Sequence, residues 1–306
     1  MNLKLINTEL VKVSDIDIPS RFYNRMTSGV KELDDLFGGG ILPGSTFTLT
    51  ATPGTGKTTF FLQLLEALQL NGYSCGFVTG EEDVTQIAFS CKRLGITHVP
   101  VCNETNIDKI LNLMKHLDII IIDSFPTLTT TKSFNSRSRE KYLIESIIEA
   151  ATENDCAVGI ILHITKSGNY KGSTLIPHSV SANFKLERDE ENESIRILFV
   201  EKNRYGCCSN LTMYFGSRGF DFSEIQTTER PKKESKADRN RQMFDAVLKL
   251  AADHGVTQKQ IVKHLKVSSS KAYTLLKELS NMDELVKYGR GENAIFKKTL
   301  KKEVEV

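Results

Sequence analysis

No stretch of the chain is apolar for long enough to cross a membrane or to act as a secretory leader. The longest apolar runs, such as residues 119–122, are of strand length, and residues 1–7 contain none. Neither a membrane span nor a leader is expected, and the cytoplasm is the expected compartment. Paired cysteines are missing too. Cys75, Cys91, Cys102, Cys156, Cys207 and Cys208 form no C-x-x-C pair, which argues against a zinc module or a disulfide framework and leaves buried free thiols as the expectation. Nor is there a large excess of either charge, because the formal net charge is +2. That near balance hides a polarity along the chain: residues 1–226 hold 22 Lys and Arg against 27 Asp and Glu, whereas residues 227–306 hold 18 against 11. A basic module joined to a mildly acidic core suits a phosphate backbone, although basic tails are also found simply solvated.

What the chain does have is enough length, 306 residues with 40% hydrophobic side chains, for one sizeable α/β domain and a smaller one. Strand-like and helix-like segments alternate from Thr46 onward, the pattern of a mostly parallel sheet with crossover helices. Strands are expected at 46–50, 73–79, 98–102, 119–123 and 158–163, with helices at 58–70, 84–94, 107–117 and 140–154 between them. The last of these helices carries an apolar stripe of Leu143, Ile144, Ile147, Ile148 and Ala151. Alternation at 182–186, 194–201 and 211–215 suggests antiparallel hairpins around a charged turn at 189–193. Residues 227–240 contain no apolar side chain except Ala237 and read as a linker, since they cannot bury enough surface to order themselves. Beyond it, helices are expected at 243–252, 257–265 (with Thr257 as N-cap) and 270–279, followed by a hairpin bending at 289–293. Three helices and then a hairpin is winged-helix order, with residues 268–277 in the recognition position. The expected organisation is therefore an arm at 1–26, a core at 27–226, the linker, a winged helix at 241–300 and a charged tail at 301–306.

The chemistry starts at ATPGTGKT, residues 51–58, which has phosphate-loop spacing after an apolar strand and before a helix. Thr52, Pro53, Gly54, Thr55, Gly56, Lys57, Thr58 and Thr59 are the expected nucleotide contacts. The glycines allow the backbone to approach the β-phosphate closely, the helix start offers free N–H groups, Lys57 meets the β- and γ-oxygens, and Thr58 ligates Mg²⁺. The run 119–122 ends in Asp123, so the strand delivers a carboxylate to the same sheet edge, where it would hold the metal through water. Glu81 and Glu82 emerge at that edge from the second strand: Glu81 is the expected base for the attacking water and Glu82 its helper. Paired glutamates at a helix start also serve its dipole, and a strand-end aspartate can be satisfied by a neighbouring serine, so these carboxylates acquire their meaning from the phosphate loop.

Several stretches together resemble the bacterial RadA family, RecA-superfamily relatives of the DnaB-type replicative helicases. They are TSGVKELDDLFGGGILPG (27–44), the phosphate loop, TGEEDVTQIAFSCKRLGI (79–96), IIIIDSF, HITK (163–166) and KNRYG (202–206), and they follow the family order. The resemblance implies a RecA-like P-loop ATPase core, ATP and Mg²⁺ as cofactors, and a homo-oligomeric ring, usually of six subunits, with ATP between neighbours. It also implies that Lys202 and Arg204 reach into the adjacent subunit's site to stabilise charge on the γ-phosphate. Alternation along that strand would put both on one face with Asn203 opposite, although a solvated edge is the other reading. His163 matches a position between nucleotide and DNA, where it either senses the γ-phosphate or is a satisfied structural histidine. The loops at 127–139 and 166–171 correspond to DNA-facing loops, which makes Lys132, Arg137, Arg139, Lys166 and Lys171 phosphate contacts. Independently of that resemblance, Lys271 and Lys277 of the winged helix, and Arg290 on its wing, are candidate DNA contacts.

The sequence also departs from the family. It lacks the cysteine zinc module and the protease-like domain, Thr174 and Ser181 replace an arginine and an aspartate, and Asn210 stands where an acid is expected. A specialised phage or plasmid helicase is therefore as compatible with the sequence as a housekeeping recombination protein. The leading expectation is an ATP-dependent motor on single-stranded DNA, with duplex DNA, a recombinase or replication proteins as further partners. The alternatives are an ATP-gated DNA-binding regulator, since the core also resembles the circadian-clock ATPases, and a recombination mediator.

Overall fold

The computed structural model describes residues 10–163, 175–228, 236–252, 255–289 and 294–299. The chain divides into two compact units, Met1–Arg230 and Pro231–Val306.

In the first unit nine described strands form one sheet: β1 (Thr46–Ala51), β2 (Cys75–Thr79), β3 (Val101–Asn103), β4 (Ile119–Asp123), β5 (Ala157–His163), β6 (Ala182–Arg188), β7 (Ile195–Asn203), β8 (Asn210–Gly216) and β9 (Gly219–Thr228). Their order is β3-β2-β4-β5-β1-β6-β7-β8-β9. The pairings from β3 through β6 are parallel, and those of β6 with β7, β7 with β8 and β8 with β9 are antiparallel. The helices are α1 (Lys31–Leu36), α2 (Lys57–Leu70), α3 (Val84–Leu94), α4 (Ile107–Leu113), α5 (Ser136–Asn154) and α6 (Leu175–Ser179).

Period-two alternation explains the two-faced core. Along β4, Ile119 and Ile121 join Phe61, Leu64, Leu65 and Leu68 of α2 on one face. Ile120 and Ile122 join Ile110 of α4 and Leu143, Ile144 and Ile147 of α5 on the other. A strand buried on both faces must be apolar throughout, which is why four consecutive isoleucines precede Asp123. Each such side chain contributes roughly 1.5–3 kcal/mol by leaving water. In β5 the neighbouring position is Gly159, where an added Cβ would lie 2.4 Å from Ile121 Cδ1 and 2.9 Å from the Phe47 ring. The glycine lets the isoleucine and the phenylalanine meet over the sheet.

Several expected boundaries shift. Helix α5 begins at Ser136 rather than at 140, because Asn135 caps it by accepting the Ser138 N–H at 2.9 Å. Strand β9 was not foreseen. Its Phe220 and Phe222 pack inward against Phe60, but the following residues are polar and resemble the start of the linker. That linker is shorter than 227–240: β9 runs to Thr228 and the next helix starts at Lys236. Helix-forming residues extend an existing helix without an apolar stripe, because propagation is far easier than nucleation.

The second unit contains α7 (Lys236–Leu250), β10 (Val256–Thr257), α8 (Gln258–Leu265), α9 (Ser269–Asn281), β11 (Leu285–Tyr288) and β12 (Ile295–Lys298). The strands form a small antiparallel sheet in the order β10-β12-β11. Thr257 and Gln260 make a reciprocal capping box at the start of α8. Val247, Ile261, Leu275, Leu279, Leu285 and Phe296 form a core of their own.

Candidate nucleotide site

The parallel strands β1, β2, β4 and β5 all end at one edge of the sheet, where crossover connections leave a crevice suited to ligands. Strand β1 runs into the phosphate loop, and the loop turns into α2 at Gly56, whose φ of +108° strongly favours glycine. Thr52 and Thr55 brace the loop: their hydroxyls lie 2.9 Å apart, and Thr55 Oγ1 donates to the Thr52 carbonyl at 2.8 Å. Lys57 is buried, and its Nζ donates to the Ala51 and Thr52 carbonyls, each at 3.3 Å. Burial pushes the Lys57 pKa down, while Asp123 and Glu81 push it up.

Thr58 Oγ1 donates to Asp123 Oδ2 at 2.8 Å. A hydroxyl and a carboxylate side by side at the start of α2 are the hard oxygen donors that magnesium takes, so the residues present fit the ion the motif implies. Asp123 is only 4% exposed. Burial raises its pKa to about 6; the Thr58 hydrogen bond and the charge of His163 lower it, and Glu81 and Glu82 raise it. Glu81 leaves the end of β2 and accepts a short hydrogen bond from Ser124 Oγ. Its Oε1 lies 2.9 Å from His163 Nε2, at the end of β5. Ligand atoms of Glu81, Asp123 and His163 all lie within 4.8 Å of one another, so three of the expected residues converge from three strands. Glu82 follows on the connection to α3, with its backbone N–H and carbonyl both engaged by Thr79 Oγ1.

Lys202 and Arg204 differ in setting. Lys202 Nζ donates to the carbonyls of Pro177 (3.3 Å), His178 (2.9 Å) and Val180 (2.6 Å), closing the C-terminal end of α6. Burial and the neighbouring Arg204 lower its pKa. Strand β7 ends at Asn203, so the expected alternation does not carry through to Arg204, which is exposed beyond it. Asn203 instead ties down the turn, donating to the Leu36 carbonyl at 2.7 Å and the Cys207 carbonyl at 2.9 Å. Asn210, at a position expected to be acidic, is buried and accepts the Val200 N–H at 3.1 Å.

Two arginines absent from the expected set hold the phosphate loop from outside. Arg188 Nη2 donates to the Gly54 carbonyl at 2.8 Å, and Arg196 Nε to the Thr55 carbonyl at 3.0 Å. The β6–β7 register sets them opposite each other. Arg196 is buried, also donates to Glu193 and Ile195, and lies 4.6 Å from the centroid of the Phe215 ring, which itself packs against Gly56. Burial, reinforced by Arg188, lowers its pKa, and Glu193 opposes this. The available signal was that both arginines flank the charged turn of an alternating hairpin.

Of the expected DNA contacts, Lys132 lies over the Tyr142 ring at 4.3 Å. Arg137 and Arg139 fall in the first turn of α5 rather than in a loop, and Arg139 donates to the Leu128 carbonyl. Lys271 donates to Asn240 at 3.0 Å, whereas Lys277 is exposed on α9. Lys166, Lys171 and Arg290 lie outside the described residues, as does Thr174. No helix among the described residues is long and apolar enough to cross a membrane.

A phosphate-loop motif leading off a mostly parallel sheet, with carboxylates at the ends of the adjacent strands β2 and β4, gives the first unit a RecA-like P-loop fold. The comparisons agree. The KaiC ATPase family model matches residues 26–111. The ATPase domain of G40P superposes with a TM-score of 0.57 at 15% identity, covering 67% of this chain and 92% of that one. The KaiC-like protein PH0186 from Pyrococcus horikoshii gives 0.54 at 19%, covering 67% and 99%. At such identities the likeness concerns the fold. In sequence, the DNA repair protein RadA of Brucella abortus is 32% identical over 207 residues, 64% of this chain and 44% of that protein. RadA of Haemophilus influenzae is 32% identical over 197 residues, 62% and 43%. Over somewhat less than two thirds of its own length the chain is similar to these RadA proteins, and it spans less than half of theirs.

Proposed function

We propose that this chain is a magnesium-dependent ATP hydrolase that works as a DNA motor in repair or recombination, translocating on single strands as a homo-oligomeric ring. The observation that carries the reading is the Glu81 carboxylate, held between Ser124 and His163 beside the Thr58–Asp123 pair. Glu81 orients the attacking water and accepts its proton as the γ-phosphoryl group is transferred. Lys57 neutralises the phosphate oxygens, and the backbone N–H groups of 54–58 cradle them. When bound, magnesium held by Thr58 and, through water, by Asp123 would screen charge on the β- and γ-oxygens. In this reading His163, in contact with Glu81, reports on whether the base is engaged.

Arg204 supports a shared site, since an exposed cation beyond the end of β7 is available to a neighbour; Lys202 is the weaker finger because three carbonyls already hold it. The arm at 10–23 supports assembly: Val13, Ile16, Ile18 and Tyr23 are all exposed, an apolar row suited to the surface of a second copy. The second unit is read as a winged helix that grips DNA through α9, with Tyr273 and Lys277 exposed along it.

The test is ATP turnover and strand displacement with and without single-stranded DNA, comparing wild type with Lys57→Ala. Turnover stimulated by DNA in wild type and absent from the variant is expected. Unwinding by the variant, or by neither protein, would remove the motor. The KaiC family match favours a second reading, an ATP-gated regulator. Slow turnover indifferent to single strands, together with tight binding of a specific duplex, would select it.

A further inference from the structure

The segment 124–139 contains three Lys or Arg residues, eight Ser or Thr residues and no Asp or Glu. Within it Phe134 is 40% exposed and stacks on Tyr142 of α5, with ring centroids 5.0 Å apart and planes inclined by 30°. Lys132 Nζ lies on the same tyrosine ring at 4.3 Å. The strip is presented firmly. Thr129 pairs with Thr105 and Ile107 through backbone bonds of 2.7 and 2.9 Å, Arg139 holds the Leu128 carbonyl, and Asn135 caps α5. Arg137 sits in the first turn of a 19-residue helix, where the helix dipole disfavours a cation. A large exposed aromatic ring in an acid-free, hydroxyl-rich strip with cations at its margins has the makings of a surface for stacked bases and phosphates.

We propose that Phe134 and Tyr142 form a base-stacking platform for single-stranded DNA, with Lys132 and Arg137 as its phosphate contacts. This rests on the DNA-motor reading above and adds to it a base contact that backbone-tracking cations alone would not make. The platform is also wired to the nucleotide site. The segment begins one residue after Asp123, Ser124 Oγ donates to Glu81, and Thr127 Oγ1 donates to the Ser124 carbonyl at 2.7 Å. A strand that shifts Phe134 therefore pulls on the residue that positions the base.

The chain has no tryptophan, so Phe134→Trp introduces a single indole at the platform. Titrating the full-length F134W protein with poly(dT) should quench its emission as bases stack on the ring. In anisotropy measurements with labelled poly(dT), Phe134→Ala should weaken binding about tenfold and F134W should restore it, with far-UV circular dichroism checking that each variant is folded. Unchanged F134W emission together with wild-type affinity in F134A overturns the platform and leaves the motor reading standing. A wild-type protein that binds no poly(dT) overturns both.

Discussion

Arg196 offers the sharpest test of how the phosphate loop is held in shape. Its guanidinium donates to the backbone carbonyls of Thr55 at 3.0 Å, Glu193 at 2.6 Å and Ile195 at 2.9 Å, and its face is covered by Phe215. A charge-assisted bond of this kind contributes roughly 1.5–3 kcal/mol, and an abandoned buried carbonyl costs about 1–3 kcal/mol. Arg196→Met keeps the stem that packs on Phe215 but frees the Thr55 carbonyl to rotate, and with it the N–H of Gly56 on the same peptide unit. Burying the charge is itself unfavourable, so removing it offsets much of the lost bonding, and the thermal midpoint should move only a few degrees. Nucleotide affinity should suffer more. If about half of one such bond is spent on orienting the loop, binding weakens by about 1.4 kcal/mol, or tenfold. Equilibrium titration with a fluorescent ADP analogue reads this, and Arg196→Lys should recover part of the loss because it restores one donor. Binding by R196M within twofold of wild type would show that the arginine merely fills space.

Other consequences can be checked independently. Asp123 has a folded-state pKa of about 6 against an ordinary 3.8, so the folded protein binds the extra proton between those values, and nucleotide-free stability should fall as pH rises from about 4 to about 6, by up to about 3 kcal/mol. Asp123→Asn should flatten that slope in denaturation curves while abolishing magnesium-dependent turnover; an unchanged slope refutes the assignment. Gly159→Ala should cost about 1–3 kcal/mol by pressing a methyl group onto Ile121 and Phe47, read as a lower urea midpoint. Leu64→Ala, which opens a cavity beneath β4, should cost about 2–5 kcal/mol in the same assay.

What the sequence revealed about this fold follows from how far each interaction reaches along the chain. Helix α3 was legible to the residue because its signals are local: Asp83 and Gln86 form a capping box at one end, and Gly95, at a φ of +74°, closes the other. Strand β4 was legible because burial on both faces writes itself as an unbroken isoleucine run. The convergence of Glu81 and Asp123 could be argued from strand ends on one sheet edge. The occupation of Lys202 could not be foreseen, because its three carbonyl partners lie 22–25 residues away in a segment with no strong helix signal. Arg196 is harder still, since its partner Thr55 is 141 residues away. Only the completed sheet, in which β6 lies beside β1 and the antiparallel β7 beside β6, brings that arginine to the phosphate loop.

The charges at the site make one further demand. Glu81 and Asp123 both act on Lys57, and Glu81 and Glu82 both act on Asp123, so three carboxylates crowd the edge of the pocket meant for a triphosphate. With no divalent cation present, ATP must approach Glu81 against like charge. At an effective dielectric near 20, one unit charge at a separation of about 8–10 Å contributes roughly 1.5–2 kcal/mol. Glu81→Gln removes that repulsion without emptying the space, and its amide oxygen still accepts from Ser124. The variant should therefore bind ATP about tenfold more tightly than wild type in EDTA, measured by titration calorimetry, while its turnover with magnesium is lost. Equal or weaker binding in EDTA would mean that Glu81 does not face the phosphates, and the hydrolytic role assigned to it would fall with that result.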